Sequence, residues 1–243
     1  MANVVIKPEP ILVSSSNTVG LYDYDTFSMG GSSSNNVIFE DQFNRGTLGT
    51  DWTLTNLGSA NGVTFDMPGT AARWNCAHTA TSVQPARENN ITTVQTFTEG
   101  TVVVICQLSY TDTTTILAQY EVAIWWDNDN RFYFGNESAT NQMFFRTREG
   151  GSVNHNYISA TATLNSTYKI IWDRVAETLA FYYWNGSAWV SVATALDVSG
   201  VVTGGADPVI SLAASDRNTR NGGDTGTFDY VYVLNQDIST LTP

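Results

Sequence analysis

The chain has 243 residues, 42% of them hydrophobic and only 14% charged. This is the composition of a folded, neutral-polar protein with length for a sizeable core, and it excludes a charge-rich disordered chain. The formal net charge is -12, Lys7 and Lys169 are the only lysines, and the arginines are scattered along the sequence. The clustered cations that a nucleic acid or an anionic membrane surface requires are therefore missing, and no stretch reaches transmembrane length.

Residues 1–36 read as an extended arm and linker. Pro8 and Pro10 in VVIKPEPILV favour extended or polyproline geometry, and GGSSSNN at Gly30–Asn36 has a flexible-linker composition. The arm's apolar groups, with Val5, Ile6, Ile11, Leu12, Tyr22 and Phe27 as the expected anchors, are too many for a solvated tail and too interrupted for a core. Such an arm needs a surface to lie on. Its start lacks the long apolar run of a signal peptide, so synthesis and release in a cytoplasm are expected.

From Val37 to the end, residues 37–243 read as one all-β domain. NVIFEDQF, NGVTFDM, AARWNC, TTVQTF, GTVVVICQLSY, YEVAIWW, RFYFG, QMFFRTR, TYKIIWDRV, TLAFYYW, AWVSVAT, PVISLAA and FDYVYVL follow one another, separated by Gly, Asn, Asp, Ser and Thr clusters. No segment sustains a helical period. About a dozen strands with short turns predict a two-sheet antiparallel jelly-roll sandwich with an extended N-terminal arm.

Within that series YEVAIWWDNDNRFYFGN, residues 120–136, predicts a hairpin turning at Asp127-Asn128-Asp129-Asn130. Pairing across a four-residue turn sets Trp126 opposite Arg131 and Trp125 opposite Phe132. One face then carries Tyr120, Val122, Ile124, Trp126, Arg131 and Tyr133, and the other Glu121, Ala123, Trp125, Phe132 and Phe134. In TLAFYYW, Phe181 and Tyr183 point one way while Tyr182 and Trp184 point the other. A sandwich buries one face of each sheet in its own core, so the remaining rings need a loop, a sugar or another subunit. Trp125, Trp126, Arg131, Tyr133, Tyr182, Trp184 and Trp189 are the candidate ligand-binding or interface residues, since Trp and Tyr stack on sugar C–H faces and serve protein interfaces equally.

Metal and thiol chemistry find little support. Alternation places Cys106 on a strand face with Val102, Val104 and Leu108, as a small buried hydrophobe, and both cysteines are expected as free thiols. Cys-x-x-Cys and paired-histidine spacings are absent. Asp127, Asp129, Asp216 and Asp224 are weak calcium candidates whose setting turn chemistry alone explains, so no cofactor is expected.

FEDQFNRGTLGTDW, STYKIIWDRVAETLAFYYWNGSAWVSV and the closing GTFDYVYVLN resemble the concanavalin A-like lectin/glucanase jelly roll, including laminin-G-like modules. The resemblance implies that VIFEDQF pairs with FDYVYVL to close the domain, and it brings glycoside hydrolysis into view. Retaining hydrolysis needs two carboxyl groups about 5 to 5.5 Å apart. The related glucanases carry them on one strand as Glu-x-Asp-x-Glu, whereas the matching strand here reads Glu121, Ala123, Trp125. The expectation is a protein that is not an enzyme.

The arm and the acidic, lysine-poor composition then favour a structural or attachment protein of a larger assembly. A bacteriophage virion protein is expected, a capsid decoration or fibre component anchored by its arm. It would act as a homo-oligomer among other subunits, touch glycans on the virion surface, and involve neither nucleic acid nor membrane insertion. The alternatives are a carbohydrate-binding module or diverged glycoside hydrolase of the same superfamily, and an extracellular location reached by a non-classical route.

Overall fold

The computed structural model describes residues 37–56, 63–78, 87–110, 118–137, 142–159, 165–200, 206–216 and 222–237. Contacts divide the chain into two compact units, Met1–Ser34 and Asn35–Pro243. The first lies outside the described residues, and with it the expected arm and its anchors.

Every regular element among the described residues is a strand. In chain order they are β1 (Val37–Asp41), β2 (Trp52–Asn56), β3 (Val63–Asp66), β4 (Ala72–His78), β5 (Arg87–Thr93), β6 (Thr101–Tyr110), β7 (Ala118–Asp127) and β8 (Asn130–Glu137). Then follow β9 (Gln142–Glu149), β10 (Ser152–Ser159), β11 (Asn165–Asp173), β12 (Thr178–Trp184), β13 (Trp189–Asp197), β14 (Val209–Asp216) and β15 (Gly222–Leu234). One sheet has eight strands in the order β13-β12-β11-β6-β15-β4-β3, with β1 on β15; the other has seven, β10-β9-β8-β7-β14-β5-β2. The architecture is the expected two-sheet antiparallel jelly-roll sandwich.

Three strands depart from the sequence expectation. Thr-rich β2 and polar β10, both at sheet edges, carry too few apolar residues to announce themselves. His155 accordingly lies in β10, with Nδ1 3.0 Å from Thr147 Oγ1, and not in a loop. The segment read as TTVQTF is displaced: the strand is β5, and residues 94–99 leave the ladder. Asn89 and Asn90 within β5 are both buried.

The main core lies between the sheets. From β6 it takes Val102, Val104, Cys106 and Leu108, and from β7 Tyr120, Val122 and Ile124. Both cysteines are free and buried, and burial pushes the Cys106 thiol well above its ordinary range, as alternation implied. The alternate residues of the same central strands are apolar too. Val103 and Ile105 gather with Leu234 on the outer face of the eight-stranded sheet, while Ala123, Tyr133 and Phe144 cluster on the outer face of the seven-stranded one. The rings are thus distributed on both sides of each sheet.

Two features fix the sandwich, one between its layers and one within the eight-stranded sheet. Tyr120 from the seven-stranded sheet lies against Gly226 of β15, where a Cβ would sit 2.2 Å from the ring. The second is the closure that the resemblance implied: β1 pairs with β15, Phe39 opposite Val233 and Asp41 opposite Val231. Just beyond β1, the Asp41 carboxylate accepts from both Arg45 guanidinium nitrogens at 2.7 and 2.6 Å, from Trp52 Nε1 at 2.7 Å and from the Phe43 amide at 2.8 Å. That last bond holds buried Phe43 at φ 50, a left-handed conformation unusual for a side chain of this size. The FEDQFNRGTLGTDW motif is therefore a structural clasp around Asp41.

Two outcomes test this account. Gly226→Ala should destabilise the fold by about 1–3 kcal/mol or more in chemical denaturation, through overpacking against Tyr120. Gly46→Ala, where a Cβ meets nothing within 4 Å, should be close to neutral. Asp41→Ala should cost about 3 kcal/mol, since it strands the Arg45 charge and the buried Trp52 donor together.

Candidate functional site

The β7–β8 hairpin does not use the expected register. Asp127 pairs with Asn130, so Asn128–Asp129 is a two-residue turn, and the ladder shifts between Trp125 and Asp127 to leave Trp126 as a bulge. Asp127 Oδ1 accepts from the Asp129 amide at 2.8 Å and from Asn130 Nδ2 at 3.0 Å, which closes the turn locally. Trp125 therefore faces Arg131, and Ile124 faces Phe132.

This one-residue difference reassigns β8. Phe132 and Phe134 turn inward with Tyr120, Val122 and Ile124, while Arg131 and Tyr133 join Glu121, Ala123 and Trp125 outside. Burial of two phenylalanines decides it, because the expected register would have put Arg131 and Tyr133 in the core instead. Trp126 also leaves the candidate face: its ring meets Phe132 at 5.2 Å and Trp172 at 5.1 Å, and its Nε1 donates to Ala206 O at 2.9 Å.

Cross-strand pairing now reads the outer face of the seven-stranded sheet row by row. One row runs Val209, Trp125, Arg131, Arg148, Val153; the next runs Ser211, Ala123, Tyr133, Arg146, Asn156; the third runs Asn90, Ala213, Glu121, Gly135, Phe144. Neighbouring positions in a row stand about 4.8 Å apart. Arg131 reaches back to Glu121 at 3.1 Å, both side chains being at most 5% exposed, and its guanidinium lies 4.7 Å from the Tyr133 ring centre. Tyr133 meets Phe144 edge to face at 6.0 Å, and Arg146 covers Phe144 at 4.4 Å. Gly135 permits this, since a Cβ there would stand 2.8 Å from Phe144 Cζ.

Burial pushes the Tyr133 hydroxyl above the usual tyrosine range; the Glu121 charge adds to this, and Arg131 and Arg146 partly offset it. Trp125 Nε1 and Asn90 Oδ1 are buried on this face without a hydrogen-bond partner, although Asn90 Nδ2 donates to Ser211 Oγ at 3.2 Å. Glu121, Arg131 and Tyr133 are buried on this face, and its partly exposed groups are the Trp125 indole and the Arg146 and Arg148 guanidiniums.

The remaining candidates fall on the opposite side of the sandwich. Tyr182 and Trp189 flank Lys169 at 4.7 and 4.9 Å, Lys169 pairs with Asp237 at 3.0 Å, and Trp184 meets Trp189 at 5.5 Å. Trp125, Arg131 and Tyr133 therefore form one group, and Tyr182, Trp184 and Trp189 another, on opposite sheets. Sequence reasoning missed Asn90, Ser211 and Asn156, which strands distant in sequence bring to the first group. Only the alternation within each strand hinted at them.

Of the calcium candidates, Asp127 is engaged in its turn and Asp129 is exposed at the hairpin tip; Asp216 and Asp224 have side chains outside the described residues. Among the described residues no group of three or more His, Cys, Asp or Glu could hold a metal ion.

No protein-family model matches the sequence, and no curated protein matches it. Solved structures do match the fold. A glycoside hydrolase family 43 protein, BlXynB from Bacillus licheniformis, is similar at TM-score 0.58 and 12% identity, over 81% of this chain and 39% of that one. This chain therefore spans about two fifths of the BlXynB chain. A glycosyl hydrolase family protein from Mycobacterium fortuitum matches at TM-score 0.55 and 14% identity, over 82% of this chain and 100% of that one. The VIP36 exoplasmic/lumenal domain in its Ca2+-bound form matches at TM-score 0.53 and 8% identity, over 79% and 86%.

These likenesses carry the fold alone, a two-sheet sandwich that proteins named as glycoside hydrolases also adopt. They also correct the expectation that the chain is not an enzyme. That exclusion rested on a missing carboxylate pair within one strand, and the fold is one that proteins named as glycoside hydrolases adopt.

The Glu121–Arg131 pair has its own test. Glu121→Gln or Arg131→Met alone should each destabilise the domain by about 3–5 kcal/mol in urea unfolding, by stranding a buried charge, and the double variant should recover most of that loss.

Proposed function

We propose that this chain is a carbohydrate-binding β-sandwich domain that receives a glycan on the outer face of its seven-stranded sheet. The observation that carries this reading is the half-buried Trp125, with its unpartnered Nε1, in one row with Arg131 and Arg148. A pyranose ring stacked on the indole would have guanidinium and amide donors within one or two strand spacings for its hydroxyls. The fold shared with glycoside hydrolases supports the same substrate class.

A second reading, glycoside hydrolysis, is favoured by Glu121 at the centre of this face beside Arg131 and Tyr133. It assigns Glu121 as one of the two carboxyl groups such a reaction requires. The virion-attachment reading rests on the composition of residues 1–36, which lie outside the described residues.

A glycan array with the full chain should give a positive signal that Trp125→Ala abolishes and Trp184→Ala, on the other sheet, leaves in place. Loss in Trp184→Ala with retention in Trp125→Ala would move the site to the eight-stranded sheet. Release of reducing ends from the bound glycan, lost in Glu121→Gln while binding persists, would establish the hydrolytic reading.

A further inference from the structure

The strongest departure of this face from the rest of the molecule is its charge. The sequence has a formal net charge of -12 and nine arginines, and the fold brings three of them, Arg131, Arg146 and Arg148, onto adjoining positions of β8 and β9. Arg131 is neutralised by Glu121. The other two are not matched in that way. Arg146 donates from Nε to Asn156 Oδ1 at 2.7 Å, lies on the Phe144 ring and hydrogen-bonds Tyr133, all uncharged partners. Arg148 donates from Nε to Gly151 O at 3.1 Å and makes a loose ion pair at 4.0 Å with exposed Asp129.

In both residues a bond at Nε fixes the plane of the guanidinium and leaves its terminal nitrogens turned toward other partners. Two such forks at i and i+2 on one strand face stand about 7 Å apart. A guanidinium with its plane already set loses little freedom on taking up an oxyanion, and the paired geometry suits a carboxylate or sulfate. Trp125 Nε1, unpartnered in the adjoining row, is a further donor with no acceptor.

We infer that the glycan received by this face is anionic, a sugar bearing a uronate carboxylate or a sulfate ester, with the oxyanion held by Arg146 and Arg148 and the ring stacked on Trp125. This rests on the glycan reading above and narrows it to a ligand class.

Matched pairs of polymers test it by calorimetry or affinity electrophoresis: polygalacturonate against its methyl ester, and dextran sulfate against dextran. The expected result is binding to one charged polymer and not to its neutral partner, which also tells carboxylate from sulfate. Arg146→Gln and Arg148→Gln should each weaken that binding roughly tenfold or more. Arg148 is half-exposed, so its variant should keep the parent's circular dichroism and unfolding midpoint. Equal binding to charged and neutral partners, unchanged in both variants, overturns the anionic ligand and leaves the glycan reading standing. Binding to none of the four polymers also overturns it. Only an array equally empty of neutral glycans removes the glycan reading as well.

Discussion

The outer face of this domain depends on where one hairpin turns. Asn128 and Asp129 form a two-residue turn and Trp126 bulges out of the ladder, so Phe132 and Phe134 enter the core while Arg131 and Tyr133 leave it. Because side chains alternate with a period of two, a shift of a single residue exchanges the whole set. The position of the bulge therefore decides whether Arg131 meets Glu121 on the outside or becomes a lone charge between the sheets. The cost of an unpaired buried cation and the gain from burying two phenyl rings act in the same direction.

The remainder of the sandwich supports that hairpin. Tyr120, one residue before Glu121, packs on Gly226 across the layers, and this contact sets the height of β7 against β15. At the domain's closing edge the clasp around Asp41 fixes β1 on β15 through Arg45, Trp52 and the strained Phe43. Both features are polar or small residues serving packing. A reading that looks for carboxylates as chemistry would misassign Asp41, whose lone pairs are occupied by structural donors. Glu121 differs, since it stands on a sheet face among rings and guanidinium groups.

Apolar and aromatic residues on both sides of each sheet raise the question of what meets the outer ones. On the seven-stranded sheet two guanidinium groups lie on rings, Arg131 on Tyr133 and Arg146 on Phe144. On the eight-stranded sheet a single lysine is held between Tyr182 and Trp189 and satisfied by Asp237. The second arrangement is closed on itself, whereas on the first Arg148 has only a 4.0 Å contact with exposed Asp129 and Arg146 has no ion pair among the described residues. That asymmetry, more than the number of rings, distinguishes the two faces.

The sequence by itself determined the all-β class, the sandwich and the inward set of β6, because period-2 alternation and turn residues are local signals, whereas the pairing of the first and last strands was implied by the resemblance alone. It also determined that rings would emerge on two sides of the central strands. Edge strands β2 and β10 escaped it for want of apolar residues, and β5 was expected a few residues too late, at TTVQTF. Only the tertiary structure decided which rings emerge together, separating Trp125 from Trp184 and withdrawing Trp126. It also decided that Arg131 shares a face with Arg146 and Arg148, and that Asn90, Ser211 and Asn156 join them. Register across strands far apart in sequence is set by the burial of whole faces at once, and no local window of residues contains that information.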